Sequence, residues 1–243
     1  MSGKARRALV TGGSGDIGGA ICLALAAAGM EVLVHANANL ERAEAVAAQI
    51  RAGGGQARAL AFDVTDNAAC SAALEAVLAD GPVQVLVNNA GIHDDAPMAG
   101  LDAERWQRVL DVSLNGFFNV TQPLLLPMAR TRYGRIVSIS SVAAVLGNRG
   151  QTSYAAAKAG LHGASRSLAR EMASRGIAVN VVAPGVIAGQ MTEGLFDPDQ
   201  LRQMVPAGRA GTPQEVAALV AFLCSDAAGY INGQVIGING GMG

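Results

Sequence analysis

Tyr154 and Lys158 stand four residues apart in Tyr-Ala-Ala-Ala-Lys, and on a helix that spacing places one side chain above the other. A phenol titrates near 10, whereas a proton donor works best closer to the operating pH. An ammonium beside the phenol would lower its pKa. A further hydroxyl comes from the preceding segment, where an apolar, β-branched run over 134–139 ends in Ser140 and Ser141. A hydroxyl at the end of that strand could share a substrate oxygen with the phenol. Ser141, Tyr154 and Lys158 are thus a candidate general acid/base set, provided that the rest of the chain holds a reactant beside them. A Tyr/Lys pair taken alone is more often an exposed helix face.

The elements that would position this set follow a repeating pattern. Residues 8–10 form a short apolar strand that runs into Thr11-Gly12-Gly13-Ser14-Gly15-Asp16-Ile17-Gly18-Gly19, followed by an Ala/Leu-rich helix to about residue 28. Strand, glycine loop and helix make the context of a dinucleotide phosphate site. The glycines let backbone approach the pyrophosphate, and the free N–H groups of the first helical turn carry partial positive charge. Further strands are predicted over 31–35, 58–62, 83–87, 135–140, 177–182 and 234–238. Helices fall between them, including one over 40–51, one capped near Thr65 or Asp66, and one from about 102 to 130. The alternation predicts an α/β fold, a doubly wound parallel sheet with its site at the carboxyl ends of the strands.

Composition bounds the function. The 243 residues suit one α/β domain, and no linker or repeat divides them. A net charge of −1 without a basic block argues against nucleic acid. No apolar run is long enough to span a membrane, and the run after Lys4, Arg6 and Arg7 is too short for a signal peptide. Cys22, Cys70 and Cys224 lack C-x-x-C pairing and read as reduced, near-core thiols of a cytoplasmic protein. His93, Asp94 and Asp95 are metal-ligand types, but nothing near them has ligand spacing. His35 reads as a structural residue. The stretch 189–208 reads as a short-helix lid over an apolar substrate. After the second strand there is no acid before Glu41, so a 2′-phosphate meets no repulsion there, and Asn37, Asn39 or Arg42 could bind it.

Taken together, Thr11-Gly12…Gly18, Asp63-Val64, Asn88-Asn89-Ala90-Gly91, Ser141, Tyr154-x-x-x-Lys158 and Pro184-Gly185 resemble, in order and spacing, the short-chain dehydrogenase/reductase family. Within it the chain looks most like the 3-oxoacyl-[acyl-carrier-protein] reductases, on Gly134-Arg135-Ile136, the segment 154–161, Ser167-Leu-Ala-Arg170-Glu171, 179–185 and Asn239-Gly-Gly-Met242. The resemblance implies a single Rossmann-type domain of about seven parallel strands flanked by helices on both faces, and a homotetramer. It implies NADP(H) as cofactor, held by Gly12, Ser14, Gly15, Asp16, Ile17, Gly18 and Asn37 at the phosphates. Asp63 and Val64 would hold the adenine, and Asn89, Ala90 and Gly91 would line the adenosine side. Pro184, Gly185 and Ile187 would sit by the nicotinamide. Tyr154 would protonate a ketone, Lys158 would lower the Tyr154 pKa and bind ribose hydroxyls, and Ser141 would hold the ketone oxygen. Arg132 and Arg175 match two arginines that dock acyl carrier protein.

The chain also departs from the family. Asp16 replaces a glycine, and its side chain is expected to turn away from the pyrophosphate and cap the helix. Gly15 stands where many NADP-dependent members carry an arginine. Ser113 replaces the asparagine of the catalytic tetrad, and Gly189 replaces a threonine near the nicotinamide. The resulting expectation is NADPH-dependent reduction of a 3-oxoacyl thioester on acyl carrier protein, in fatty-acid or polyketide-like synthesis. An NAD(H)-dependent alcohol, sugar or steroid dehydrogenase, and a catalytically weak dinucleotide-binding subunit, are the alternatives.

Overall fold

The computed structural model describes residues 5–189 and 197–243. Seven parallel strands form one sheet in the order β3-β2-β1-β4-β5-β6-β7. They are β1 (Arg7–Val10), β2 (Glu31–Ala36), β3 (Gln56–Ala61), β4 (Val85–Asn88), β5 (Gly134–Ile139), β6 (Ile177–Pro184) and β7 (Val235–Ile238). This is a Rossmann-type sheet, with helices on both faces. The strand sequences explain why. In β1, Ala8 and Val10 face one core and Leu9 the other; Val85 and Val87 are likewise opposed to Leu86 in β4. With both faces buried, a strand reads as a continuous apolar run rather than an alternating one.

Helices α1 (Asp16–Ala27), α2 (Leu40–Ala52) and α9 (Pro213–Leu223) supply the first core, and α3 (Asn67–Ala79), α5 (Gly116–Thr131) and α7 (Thr152–Met172) the second. Between them in sequence lie α4 (Ala103–Leu110), the single turn α6 (Ala143–Leu146) and α8 (Pro198–Met204). The strand order reverses between β1 and β4, which opens a crevice at their carboxyl ends. The glycine loop, the turns after β2, β3, β4 and β6, Ser141 after β5 and the first turns of α7 all lie at that edge.

Several boundaries differ from the sequence reading by one or two residues, as for β3, which runs over Gln56–Ala61 rather than 58–62. The fourth strand starts at Val85 rather than 83, because register with β1 begins at Ala8↔Val85. The long helix over 102–130 is three pieces: α4, a wide π-helical turn over Asp111–Asn115, and α5. Asp111 anchors the turn by accepting from Gln107 Nε2 (2.8 Å) and Asn115 Nδ2 (2.5 Å). Such a bulge re-aims side chains, and it swings Ser113 inward, where it is 3% exposed. Of the lid stretch, α8 and its capping box, Asp197 with Gln200, are described, while residues 190–196 lie outside the described residues. Among the described residues no helix is long and apolar enough to cross a membrane.

Candidate active site

The glycine loop is built as a cradle. Gly12 adopts φ +61°, a conformation that favours glycine. A Cβ on Gly18 would collide with the Gly12 carbonyl and lie 2.7 Å from Asn89 Nδ2. The loop is tied to the end of β4: Asn89 Nδ2 donates to the carbonyls of Thr11 and Gly12 (3.0 Å each), and the N–H groups of Asn89 and Ala90 donate to Thr11 Oγ1 (3.0 Å each). Gly15 is the N-cap of α1 and no side chain caps it, so the first-turn donors face the crevice. A dinucleotide pyrophosphate fits these residues. Thr11, Asn89 and Asn119 do the positioning. Asn119 Nδ2 donates to the Val64 carbonyl at 2.9 Å and so sets the Asp63–Val64 turn. Thr11 reads from the sequence only as the first residue of the loop motif, and Asn119 not as a site residue; one polar side chain on the buried face of a helical pattern was the only signal for Asn119.

Asp16 does not cap α1, contrary to expectation. It is the first helical residue, and its carboxylate turns toward Gly189: a Cβ added there would lie 2.5 Å from Asp16 Oδ2. The two departures from the family are therefore one spatial exchange, a carboxylate filling the room a side chain at 189 would take. The carboxylate still sits beside the phosphate donors, and a like charge there opposes an anion. Asp16→Gly should tighten binding of a nicotinamide dinucleotide by up to about tenfold at low salt, with a smaller gain at high salt. Fluorescence titration of NADPH at two ionic strengths measures it. Thermal stability should fall slightly, since an acid in the first turn favours the helix by about 0.3–1 kcal/mol.

At the end of β2, Asn37 is exposed at the sheet edge. Asn39 is occupied as the N-cap of α2, accepting from the Arg42 N–H at 3.0 Å, which leaves Asn37 as the nearer amide for a 2′-phosphate. Asp63 accepts from the Thr65 N–H and hydroxyl (2.8 Å each), and Asp66, not Thr65, caps α3. Val64 is buried, so only its backbone is offered to a ligand. Gly185 packs on Asn239, and the Ile187 segment pairs with Gly211.

Ser141, Tyr154 and Lys158 lie near one another in the structure. Ser141 follows β5, and Tyr154 and Lys158 share one face of α7 near its amino end. Lys158 Nζ lies 5.7 Å from the Tyr154 ring centre, donates to the Ile139 carbonyl at 3.0 Å, and passes under Gly91, where a Cβ would come within 2.8 Å. Ser140 faces away: its hydroxyl donates to the Lys158 carbonyl (3.1 Å) and pairs with His162 Nε2 (2.7 Å). This turns Ser140 into a brace and leaves Ser141 for substrate. Burial pushes the Lys158 ammonium down to about 8. It pushes the Tyr154 phenol up, opposed by a hydrogen bond from Ser141 and reinforced by the charge of Asp95. The expected depression of the phenol by Lys158 is thus not the governing effect in the free protein; desolvation is.

Ser113 lies in the second core with a buried hydroxyl that has no protein partner among the described residues. It borders a cavity of about 10 Å³, also lined by Thr11, Asn88 and Ala90. That is room for about one water. In the 93–95 loop, Asp94 is clamped by Arg105 and Arg108 and Asp95 accepts from Gln151 Nε2 (2.9 Å), so these carboxylates serve as loop anchors. Among the described residues no cluster suits a metal ion. Cys22, Cys70 and Cys224 are buried free thiols. Arg132 and Arg175 are brought together, with Arg132 donating to the Ser174 carbonyl at 3.4 Å. They sit before β5 and β6, at the opposite edge of the sheet from Tyr154. Eighteen helical rises from Tyr154 to Met172 alone span about 27 Å.

The family described as enoyl-(acyl carrier protein) reductase matches residues 13–243. The chain is 46% identical to the 3-oxoacyl-[acyl-carrier-protein] reductase FabG of Aggregatibacter actinomycetemcomitans, over 96% of this chain and 98% of that one. It is 45% identical to FabG of Escherichia coli K12, over 100% and 99% of the two chains. With the 3-oxoacyl-[acyl-carrier-protein] reductase of Synechocystis it shares 44% identity, over 98% and 97%. With its glycine cradle, its Ser141/Tyr154/Lys158 set and these full-length relatives, the chain belongs to the short-chain dehydrogenase/reductase family of nicotinamide-dependent oxidoreductases.

Proposed function

We propose that this protein reduces a 3-oxoacyl thioester borne on acyl carrier protein to the 3-hydroxyacyl form, using NADPH. The observation that carries the proposal is the full-length similarity to 3-oxoacyl-[acyl-carrier-protein] reductases together with an intact Ser141/Tyr154/Lys158 set. The bound nicotinamide would supply hydride to the ketone carbon. The Ser141 hydroxyl would donate to the ketone oxygen and fix its direction. Tyr154 would transfer its phenolic proton to that oxygen as the alkoxide forms, leaving a phenolate beside the Lys158 charge. The absence of a carboxylate on Asn37 and its neighbours supports NADPH over NADH.

Arg132 bonds the carbonyl of Ser174, next to Arg175, so the two exposed arginines lie on adjoining segments and would offer positive charge to an acidic carrier. The outward face of α5 exposes Phe118 (58%) and Leu126 (70%), apolar surface of the kind that a homotetramer would cover. The setting would be fatty-acid or polyketide-like synthesis in the cytoplasm.

Steady-state kinetics test this reading. Acetoacetyl thioester should turn over with NADPH and much more slowly with NADH. Arg132→Glu with Arg175→Glu should raise KM for the carrier-bound substrate by about tenfold or more while sparing a carrier-free thioester. No turnover with NADPH would overturn the proposal. The unpartnered Ser113 hydroxyl favours one second reading, a dinucleotide-binding subunit of weak activity. Tight NADPH binding without reduction of any 3-oxo thioester would establish that instead.

A further inference from the structure

The glycine loop, the end of β2 and the turn after β3 are separate segments that meet at one edge of the crevice, and a single buried side chain joins them. His35, in β2, is 1% exposed. Its Nδ1 faces the Gly12 N–H at 3.2 Å and its Nε2 faces the Phe62 carbonyl oxygen at 2.8 Å. Its own carbonyl accepts from the Gly13 N–H at 2.8 Å, and its ring packs against the Phe62 ring with centres 4.1 Å apart. One proton arrangement satisfies both ring nitrogens: Nε2–H donates to Phe62 and Nδ1 accepts from Gly12. That is a neutral imidazole. An imidazolium would turn a second donor toward the Gly12 N–H.

We infer that His35 is a positioning residue for the adenosine and phosphate half of the dinucleotide, and that it sets an acid limit on cofactor binding. The inference rests on reading the glycine loop as the dinucleotide site. Gly12 makes the left-handed turn of the cradle, and Asp63 directly follows Phe62 at the adenine turn. His35 therefore holds the phosphate loop and the adenine turn in register before any cofactor arrives. A site ordered in advance binds more tightly, because less ordering remains to be done on binding. Burial also pulls the imidazole below its ordinary value, against the Phe62 hydrogen bond and the charge of Asp63, the charged group whose field reaches it. The contribution of His35 is fully present above the ordinary imidazole pKa of 6.5 and is lost as the pH falls through its lower folded value.

The test is NADPH binding by the intact protein, followed by fluorescence across about pH 5 to 7. His35→Ala should weaken NADPH by about tenfold, since it leaves the Gly12 N–H without its acceptor. Turnover at saturating cofactor should stay within about twofold. The fragment 2′,5′-ADP should lose affinity by the same factor, and nicotinamide mononucleotide should not. His35→Asn retains an acceptor that does not titrate. Its affinity should be flat over the range in which the wild type weakens toward acid, and it serves as the test even if the alanine variant fails to fold. Superimposed pH profiles for wild type and His35→Asn, or an alanine variant that binds NADPH like the wild type, would overturn the inference. Failure of the wild type itself to bind NADPH would instead overturn the reading of the loop.

Discussion

Tyr154→Phe is expected to fold, to bind NADPH as the wild type does, and to lose reductase turnover by about 10²–10⁴-fold. The change removes one hydroxyl and keeps the ring, which is half-buried and packs edge-on against His93 at 6.3 Å between centres. What disappears is the proton that the proposed mechanism transfers to the substrate oxygen, which leaves the Ser141 hydroxyl as the other donor. The direction of the phenol's shift sharpens the expectation. Burial holds it above 10 in the free protein, so it is fully protonated at neutral pH and ready to act as an acid. On the proposed function, reduction should therefore hold its rate through neutrality, and the reverse oxidation of a hydroxyl substrate, which needs the phenolate, should climb as pH rises. Initial rates of NADPH consumption, together with a fluorescence titration of cofactor affinity, separate loss of chemistry from loss of binding. A phenylalanine variant within tenfold of the wild type would remove Tyr154 from the acid role.

Lys158→Met should have the other large effect, and its two readouts run in opposite directions. Activity should fall by about a hundredfold or more, because the phenolate left by proton transfer loses its neighbouring charge. Stability should rise. Lys158 is fully buried and its pKa falls from 10.5 to about 8, so below pH 8 the folded protein carries the cost of an ammonium taken out of water. That shift corresponds to about 3 kcal/mol, and loss of the bond to the Ile139 carbonyl returns about 1 kcal/mol of it. Melting at pH 7 should then rise by about 5 °C. Between pH 8 and 10.5 the folded lysine is already neutral while the unfolded one is still protonated. Wild-type stability therefore rises with pH in that window, and the advantage of the methionine variant should shrink and then turn into a deficit of about 1 kcal/mol, the worth of the lost bond to Ile139. Thermal melts of both proteins from pH 7 to 10.5 give the comparison, and a variant that melts lower at pH 7 would show that Lys158 is not the buried cost described.

A protein that keeps a costly lysine in its interior is spending stability on a site. The same holds at Ser113, where a hydroxyl is buried without a protein partner beside a cavity the size of a water. In both cases the local rule for a well-packed core is broken beside the candidate site, although it is also broken at Arg7 and Ser138 in the strands beneath.

The sequence by itself determined the sheet, its two covered faces and the carboxyl-edge placement of the site. Continuous apolar runs with glycine turns follow from local chemistry: a strand buried on both sides must be apolar throughout, and a backbone at φ +61° favours glycine. It also determined the Tyr154/Lys158 stack, because helical spacing alone puts those side chains together. Only the tertiary structure decided the rest, since each remaining answer depends on a neighbour distant in sequence. Asp16 reads as a cap until Gly189, far along the chain, is seen to make room for its carboxylate. The Tyr154 phenol reads as depressed by its lysine until its burial is seen to outweigh that charge. His35 reads as a strand residue until Gly12 and Phe62 close around its two nitrogens. Arg132 and Arg175 read as two exposed residues far apart in sequence until the sheet brings their segments side by side before β5 and β6. Periodicity reports what a residue's own segment does; desolvation, charge and hydrogen-bond partners are set by whatever folds against it.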